Sequence, residues 1–143
     1  MHTLAERRRV AVVTDMITAI NRREMHRLEE FFAADFVLNG TPWDADRLRA
    51  ELDKMIDAFP DFQWRIEFAV VDGKRLACRL HDTGTHMKDF RGVRATGLRM
   101  QANELALYRF EGRKIVELWL SADQVLLRDQ MLDIYSGDPH SSS

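Results

Sequence analysis

The stretch YRFEGRKIVELWLSAD, residues 108–123, has the pattern of two antiparallel strands joined by a tight turn. Glu111-Gly112 supplies the turn, because glycine accepts the positive φ that short hairpin loops require. Beyond it the residues alternate with the period of two that marks a β-strand, and one parity is wholly apolar. The other parity carries an indole and two carboxylates: Ile115, Glu117, Trp119, Ser121 and Asp123. The stretch therefore predicts a hairpin whose last strand has a mixed face that ends on an acid.

The sequence before this hairpin predicts helices first and strands afterwards, which is an α+β order. Apolar residues recur at helical spacing in segments 10–20, 25–32 and 48–59, and Pro60 ends the third helix. A short strand is predicted at 36–40 and a loop at 41–44, where Asp44 or Asp46 would cap the third helix. Further strands are predicted at 62–70, 74–86 and 94–110, with Asp72-Gly73 as a hairpin turn. A final helix is predicted at 124–135.

These segments predict a single domain at residues 1–135, followed by a disordered tail at 136–143. Both faces of the last two strands are at least half apolar, so we expect both faces of the sheet to be covered. The N-terminal helices would cover one face, and there are too few helices for the other. We therefore predict a homodimer that forms through the sheet.

Composition and charge exclude several classes of protein. The chain has 143 residues, 45% of them hydrophobic, and a net charge of −2, which does not favour a nucleic-acid-binding surface. No apolar run approaches the roughly 20 residues that a membrane span needs, and no apolar secretory stretch opens the chain, so we expect a cytoplasmic protein. The single cysteine, Cys78, excludes an internal disulfide, and we expect it to be a core residue. The histidines lack metal-binding spacing, so no metal is expected.

Four pieces of sequence, in this order, resemble the SnoaL-like polyketide cyclase family of the NTF2-like, ketosteroid-isomerase-like superfamily. They are AFPDF at 58–62, TGTHMKDFRG at 83–92, TG at 96–97 and the opening stretch at 108–123. The resemblance implies a cone-shaped barrel in which N-terminal helices pack on a curved, mainly antiparallel sheet around an apolar pocket. It also implies an enzyme that needs no cofactor or metal, often acts as a dimer, and closes a ring on a polyketide by intramolecular aldol addition.

In that family a carboxylate at the end of the last strand serves as acid and base, and Asp123 is the matching residue. We interpret the parity of Asp123 as the pocket-facing wall and the apolar parity as packing elsewhere. A carboxylate in an apolar cavity has its pKa raised, which suits a general base that takes a proton from carbon beside a carbonyl. Alternatively, Asp123 caps the helix predicted at 124–135. The two roles are compatible.

Other candidate site residues follow from the same resemblance. His86 closes TGTH, where the family usually has histidine; it would contact a substrate oxygen, or be satisfied by backbone at a strand end. Asn39 would orient a carbonyl or a water molecule, or serve as a turn residue before Gly40. Glu117 either faces the pocket mouth or pairs with Arg79 or Arg109 across strands, and the spacing favours the pair. His81 falls on the face opposite His86. The predicted substrate-binding residues comprise Asn39, Trp43, Phe59, Phe62, Met100, Tyr108 and Trp119.

Three functions fit these residues. The first is a cofactor-independent cyclase or isomerase that uses Asp123, and His86 as a second catalytic residue, on a small apolar carbonyl substrate. The second is an epoxide hydrolase or hydratase, in which Asp123 with Arg79 or Arg109 would imitate half of an Asp–Arg–Asp arrangement. The third is a dimeric module that binds a small molecule without turning it over. One departure weakens the first: dedicated aromatic polyketide cyclases carry a histidine on the preceding strand, and NELALYRF, 103–110, has none.

Overall fold

The computed structural model describes residues 1–122 of the chain. Three helices lie in this part: α1 (Leu4–Asn21), α2 (Leu28–Phe31) and α3 (Ala45–Ala58), and a 3₁₀ turn (Met25–Arg27) precedes α2. The strands are β1 (Phe32–Leu38), β2 (Thr41–Asp44), β3 (Gln63–Asp72), β4 (Arg75–Thr85), β5 (Arg99–Glu111) and β6 (Lys114–Ala122). Asp123, the helix predicted at 124–135 and the tail predicted at 136–143 lie outside the described residues.

The six strands form one curved sheet in the order β2-β1-β6-β5-β4-β3. Neighbouring strands are antiparallel except β1 and β6, which are parallel. The α+β class and the curved, mainly antiparallel sheet are therefore confirmed. The sheet is open, with β2 and β3 at its edges, rather than closed into a barrel. None of the helices in residues 1–122 is long and apolar enough to cross a membrane.

The main core lies between the helices and one face of the sheet, which we call the inner face. Helix α1 contributes Val13, Ile17 and Ile20, each at most 4% exposed, at the spacing that the sequence predicted. Opposite them the inner face contributes Tyr108 and Phe110, both 1% exposed or less. Burial of this apolar area, at about 25 cal/mol per Å², is the main favourable term in folding.

Helix ends confirm one prediction, and element bounds correct three others. The Asp44 carboxylate accepts a hydrogen bond from the Arg47 N–H at 2.8 Å, so Asp44 caps α3 as expected. The predicted loop at 41–44 is instead strand β2, because residues 39 and 40 form a tight turn that pairs it with β1. The helix predicted at 25–32 ends at Phe31, and Phe32 begins β1. Residues 94–98, predicted as strand, precede the start of β5.

Two β-bulges correct the predicted faces of the sheet. In β3 the pairing with β4 shifts between Ile66 and Phe68, and in β6 the pairing with β5 shifts between Ile115 and Glu117. An extra residue in one strand reverses the parity of every residue that follows it. Consequently Phe68, which shares a parity with buried-facing Ile66, lies on the opposite, outer face of the sheet and is 53% exposed.

The end of α1 is tied to the edge strand β3 by side chains. The Asn21 amide donates to the Trp64 carbonyl at 2.8 Å and accepts from the Trp64 N–H at 2.9 Å. Arg23, held in the left-handed region at φ 64°, donates to the carbonyls of Pro60 and Phe62 at 2.9 and 2.7 Å. These bonds satisfy backbone groups at a sheet edge and fix the position of α1 above the inner face.

Asn21→Ala is expected to lower the free energy of unfolding by about 2 kcal/mol, because it leaves a backbone donor and acceptor of Trp64 without their partners. Urea denaturation monitored by circular dichroism measures the change. Asn21→Asp is the matched variant: it keeps the acceptor for the Trp64 N–H and should lose less stability than Asn21→Ala. Equal stability of Asn21→Ala and the wild type would show that the hydrogen bonds between Asn21 and Trp64 do not stabilise the fold.

Candidate functional site

A cavity of about 980 Å³ lies between α1, α3 and the inner face of the sheet. Its wall is mainly apolar and includes Ile17, Leu52, Leu80 and Leu118. Charged side chains at its exposed rim have both signs and comprise Glu51, Lys54, Asp57, Asp89 and Arg91. Lys54 pairs with Glu51 at 3.3 Å. Such a site, large and apolar with few polar groups, suits a small and mostly apolar ligand.

The structure brings only some of the predicted lining residues to this cavity. Asn39, Trp43 and Tyr108 line it. Phe59, Phe62 and Met100 do not; they form a second buried cluster with Ala58 and Val93 beneath the end of α3. The sequence showed that these residues are buried, but it did not separate the wall of the cavity from an adjoining core.

His86 belongs to this second cluster and is absent from the cavity lining. Its ring is fully buried, stacks on Phe59 with a centroid distance of 5.2 Å, and has Nδ1 3.2 Å from the Thr96 hydroxyl oxygen. Nε2 has no hydrogen-bond partner among the described residues. Burial lowers the pKa of His86, which favours the neutral imidazole. Phe59, on which the ring stacks, packs in turn on Phe90, and Phe90 lines the cavity.

Asn39 acts as a turn residue and also lines the cavity. With Asn39 at φ 49° and Gly40 at φ 80°, the pair makes the turn between β1 and β2. The side-chain oxygen Oδ1 of Asn39 accepts a hydrogen bond from the Leu120 N–H at 2.8 Å. The backbone N–H of Asn39 donates to the Leu118 carbonyl at 2.9 Å. The side chain thus fixes β6 against the hairpin at one end of the cavity.

Trp119 and Glu117 face away from the cavity, which corrects the predicted pocket wall. After the bulge at Val116 the apolar residues Leu118 and Leu120 line the cavity, and Trp119 lies on the outer face, 47% exposed. Glu117 accepts from the Arg109 guanidinium at 3.3 Å on that face, which confirms the expected cross-strand pair. The parity argument for Asp123 therefore loses its premise, whereas the family resemblance for Asp123 is unaffected.

Two buried carboxyl groups on the inner face escaped the sequence analysis. Asp82 in β4 is 7% exposed, and Glu104 in β5, which lines the cavity, is 8% exposed. The pairing register places Trp64 opposite Asp82 and Ala102 on the other side of Asp82, so Glu104 is its diagonal neighbour on the same face. One oxygen of each carboxyl and the Trp64 indole nitrogen have no hydrogen-bond partner in residues 1–122.

Burial raises the pKa of the Asp82 carboxyl to about 10, and the neighbouring Glu104 carboxyl adds to this shift. Asp82 is therefore protonated at neutral pH. Burial also raises the pKa of the Cys78 thiol to about 11, so this core cysteine is not a thiolate nucleophile. No group of three or more His, Cys, Asp or Glu side chains in the described part of the chain could hold a metal ion.

Asp82→Asn is expected to stabilise the protein increasingly as pH rises. The unfolded Asp82 ionises near pH 4, whereas in the folded protein its pKa is about 10, so between these values folding takes up a proton. As pH rises through this window, Asp82 should therefore lower the free energy of unfolding of the wild type by up to about 1.4 kcal/mol per pH unit. Removing the group should flatten the profile.

Chemical denaturation of the wild type and Asp82→Asn at pH 5 and pH 8 measures this difference. Asp35→Asn, an exposed site on β1, is the control and should keep the wild-type slope. A parallel pH dependence of the wild type and Asp82→Asn would mean that Asp82 is not buried as an acid.

The sequence and the fold were compared with known proteins. A sequence model described as SnoaL-like polyketide cyclase matches residues 10–131. No protein with a curated description matches the chain. A solved SnoaL-like polyketide cyclase from Agrobacterium tumefaciens is 28% identical with a TM-score of 0.77, covering 91% of this chain and 98% of that one.

Two Streptomyces structures are similar. IdmH from Streptomyces antibioticus, described as a candidate polyketide cyclase, is 26% identical with a TM-score of 0.76, covering 90% of this chain and 98% of IdmH. AclR from Streptomyces galilaeus is 24% identical with a TM-score of 0.78, covering 92% of this chain and 98% of AclR, and shows the shared fold. On the family match over residues 10–131, the chain belongs to the SnoaL-like polyketide cyclase family.

Proposed function

We propose that this protein is a cofactor-independent cyclase or isomerase that works by acid/base catalysis on a small, mostly apolar, polyketide-like carbonyl substrate. The observation that carries the proposal is a cavity of about 980 Å³, mainly apolar and lying between helices and sheet, in a member of this family. Apolar walls bind a carbon skeleton and exclude water, which raises the basicity of a carboxylate inside.

Asp123 is the proposed acid and base. It follows β6 directly, and the residues two and three positions before it, Ser121 and Leu120, line the cavity. In an intramolecular aldol addition, Asp123 would take a proton from the carbon beside one carbonyl. The resulting enolate carbon would bond to a second carbonyl carbon, and the alkoxide formed there would receive the proton from Asp123. Atoms and electrons balance without an oxidant or reductant.

Among the described residues, Asn39, Trp43 and Tyr108 are proposed to contact the substrate, since they line the cavity. Phe59, Phe62 and Met100 would act from behind the wall, where they support it. His86 packs on Phe59 and is proposed to position that cluster rather than to touch the substrate. Trp119 has no proposed contact with substrate, because it lies on the outer face.

The positions of Arg79 and Arg109 support epoxide hydration less well than cyclisation. Arg79 pairs in register with Leu105 and Phe68 on the outer face, and Arg109 binds Glu117 there. Neither predicted arginine therefore stands beside an acid in the cavity. A binding module without turnover is the remaining alternative, and the experiment below distinguishes it.

Asp123→Asn is expected to lower turnover at least about 100-fold, because acid/base steps contribute 10²–10⁴-fold to the rate. The wild type and the variant would be assayed with a panel of polyketide-like diketones and epoxides, and thermal melting of both recorded. Asp35→Asn, which removes an exposed carboxylate from β1, should retain full activity. The compound that turns over decides between cyclisation and hydration.

Unchanged turnover in a folded Asp123→Asn would contradict the assignment of Asp123. Absence of turnover in the wild type, with a lowered melting temperature in Asp123→Asn, would favour a binding module in which Asp123 caps a helix.

We further propose that the protein forms a homodimer through the outer face of the sheet. Two adjacent rows of residues, each paired in register across β3, β4, β5 and β6, lie on this face. The large apolar residues in these rows are 42–59% exposed: Phe68, Val70, Leu105, Leu107 and Trp119. A contiguous apolar patch of this kind marks an interaction surface, and a second copy would bury it.

Leu105→Arg should convert the dimer to a monomer, because in a two-fold interface the substitution would place two charges in the buried patch. Light scattering coupled to gel filtration measures the mass. Arg8→Glu, an exposed change on α1, is the control and should leave the mass unchanged. A wild type that is monomeric at all concentrations tested would overturn the proposal.

A further inference from the structure

Glu104 is a buried acid in the wall of the cavity, and the residue is 8% exposed. Its Oε2 atom is buried and has no conventional hydrogen-bond donor in residues 1–122. A buried carboxyl oxygen loses its solvation, which costs free energy unless a donor is supplied by the neighbouring acid or by a ligand. The side chain lines the cavity, so a bound molecule can reach it.

Two other polar groups of the cavity wall are already engaged, and the Trp64 indole nitrogen, which has no partner in residues 1–122, is a donor rather than an acceptor. The side-chain oxygen Oδ1 of Asn39 accepts a hydrogen bond from the Leu120 N–H at 2.8 Å. The Tyr108 hydroxyl is hydrogen-bonded to the Cys78 thiol. At the rim, Lys54 pairs with Glu51 and Lys88 pairs with Asp57. Glu104 therefore stands out as the acceptor that is left for a ligand.

The space around Glu104 also suits a ligand. Its neighbours along β5 on the inner face are Ala102 and Ala106, and Leu80 is paired with it from β4. Small side chains on either side of a buried carboxyl leave room for the group that approaches it. Leu80 supplies an apolar surface for the rest of that molecule.

Asp82 holds Glu104 in place from behind. Two adjacent carboxyls in an apolar site cannot both be ionised without strong repulsion, so the pair retains one proton. Asp82 carries that proton and can donate it to one Glu104 oxygen, which leaves the other Glu104 oxygen as an acceptor. Asp82 itself is not part of the cavity lining.

We propose that Glu104 accepts a hydrogen bond from a hydroxyl or enol group of the ligand, with Asp82 as the positioning residue. The ligand class is a neutral, mostly apolar molecule that carries an acidic hydroxyl. Anionic ligands of the same shape are disfavoured, because their charge would meet that of the carboxyl pair. This inference rests on the proposed function for the apolar character of the ligand, and it requires no turnover.

Three probes of one shape test the inference by calorimetric titration of the wild-type protein at neutral pH: naphthol, its methyl ether and naphthoate. Naphthol should bind at least about tenfold more tightly than the ether, because only the naphthol hydroxyl can donate a hydrogen bond to the Glu104 carboxyl. Naphthoate should bind most weakly. Equal binding of naphthol and its ether, or tight binding of naphthoate, would overturn the proposal.

Glu104→Gln should lose most of the preference for naphthol and bind naphthoate more tightly than the wild type does, because the charge is gone and an amide donor is present. Glu51→Gln removes the same charge at the rim and is the matched control. If Glu51→Gln shifts the three affinities as Glu104→Gln does, general charge rather than Glu104 controls binding, and the proposal fails. If Glu104→Gln does not fold, the wild-type comparison decides alone.

The role of Asp82 is tested by a conservative and a non-conservative variant. Asp82→Asn can still donate to Glu104 and should keep the naphthol preference, whereas Asp82→Leu cannot and should reduce it. If both folded variants lose the preference for naphthol, or if neither does, Asp82 does not position Glu104 through a hydrogen bond. Turnover by Asp123 is independent of these ratios: a protein without turnover can still show them, and an active enzyme can lack them.

Discussion

The faces of the sheet depend on two β-bulges, at Glu67 in β3 and at Val116 in β6. Each inserts one residue and reverses the direction of the side chains that follow it. Before the bulge in β3, Ile66 packs into the core; after it, Phe68 is exposed on the outer face. The bulge in β6 sends Trp119 outward in the same way. The two bulges therefore contribute both to the cavity wall, through Leu118 and Leu120, and to the apolar outer patch, through Phe68 and Trp119.

Much of the fold could be predicted from the sequence because the signals are local. Helical spacing identified the buried side of α1, Asp44 identified the start of α3, and two glycine-containing turns identified the hairpins of β3–β4 and β5–β6. The pair of Glu117 and Arg109 followed from cross-strand geometry. The bulges were missed because they depend on the partner strand: nothing in a single strand shows that its pairing shifts by one residue.

The carboxyl pair of the cavity was missed for a related reason. Asp82 stands among polar residues in HDTGT and Glu104 in QANEL, and such acids are usually solvated. Only the register of β4 and β5 places them on one face and side by side. The helices then bury both, and that burial, rather than residue type, raises the pKa of Asp82. The sequence offered only a weak indication of this burial. In each strand the acid lies on the same face as apolar residues, as Asp82 does with Leu80.

If Asp123 is the acid and base of the proposed function, Glu104 would be a second acid with a different role. Glu104 is paired in register with Ala122, the last described residue of β6, and Asp123 follows Ala122 in the sequence. Acids in different surroundings can divide acid and base roles, because their environments separate their pKa values. Glu104 has the protonated Asp82 as its neighbour. In the proposed function it would hold a substrate hydroxyl in a fixed place, and Asp123 would transfer the proton at carbon.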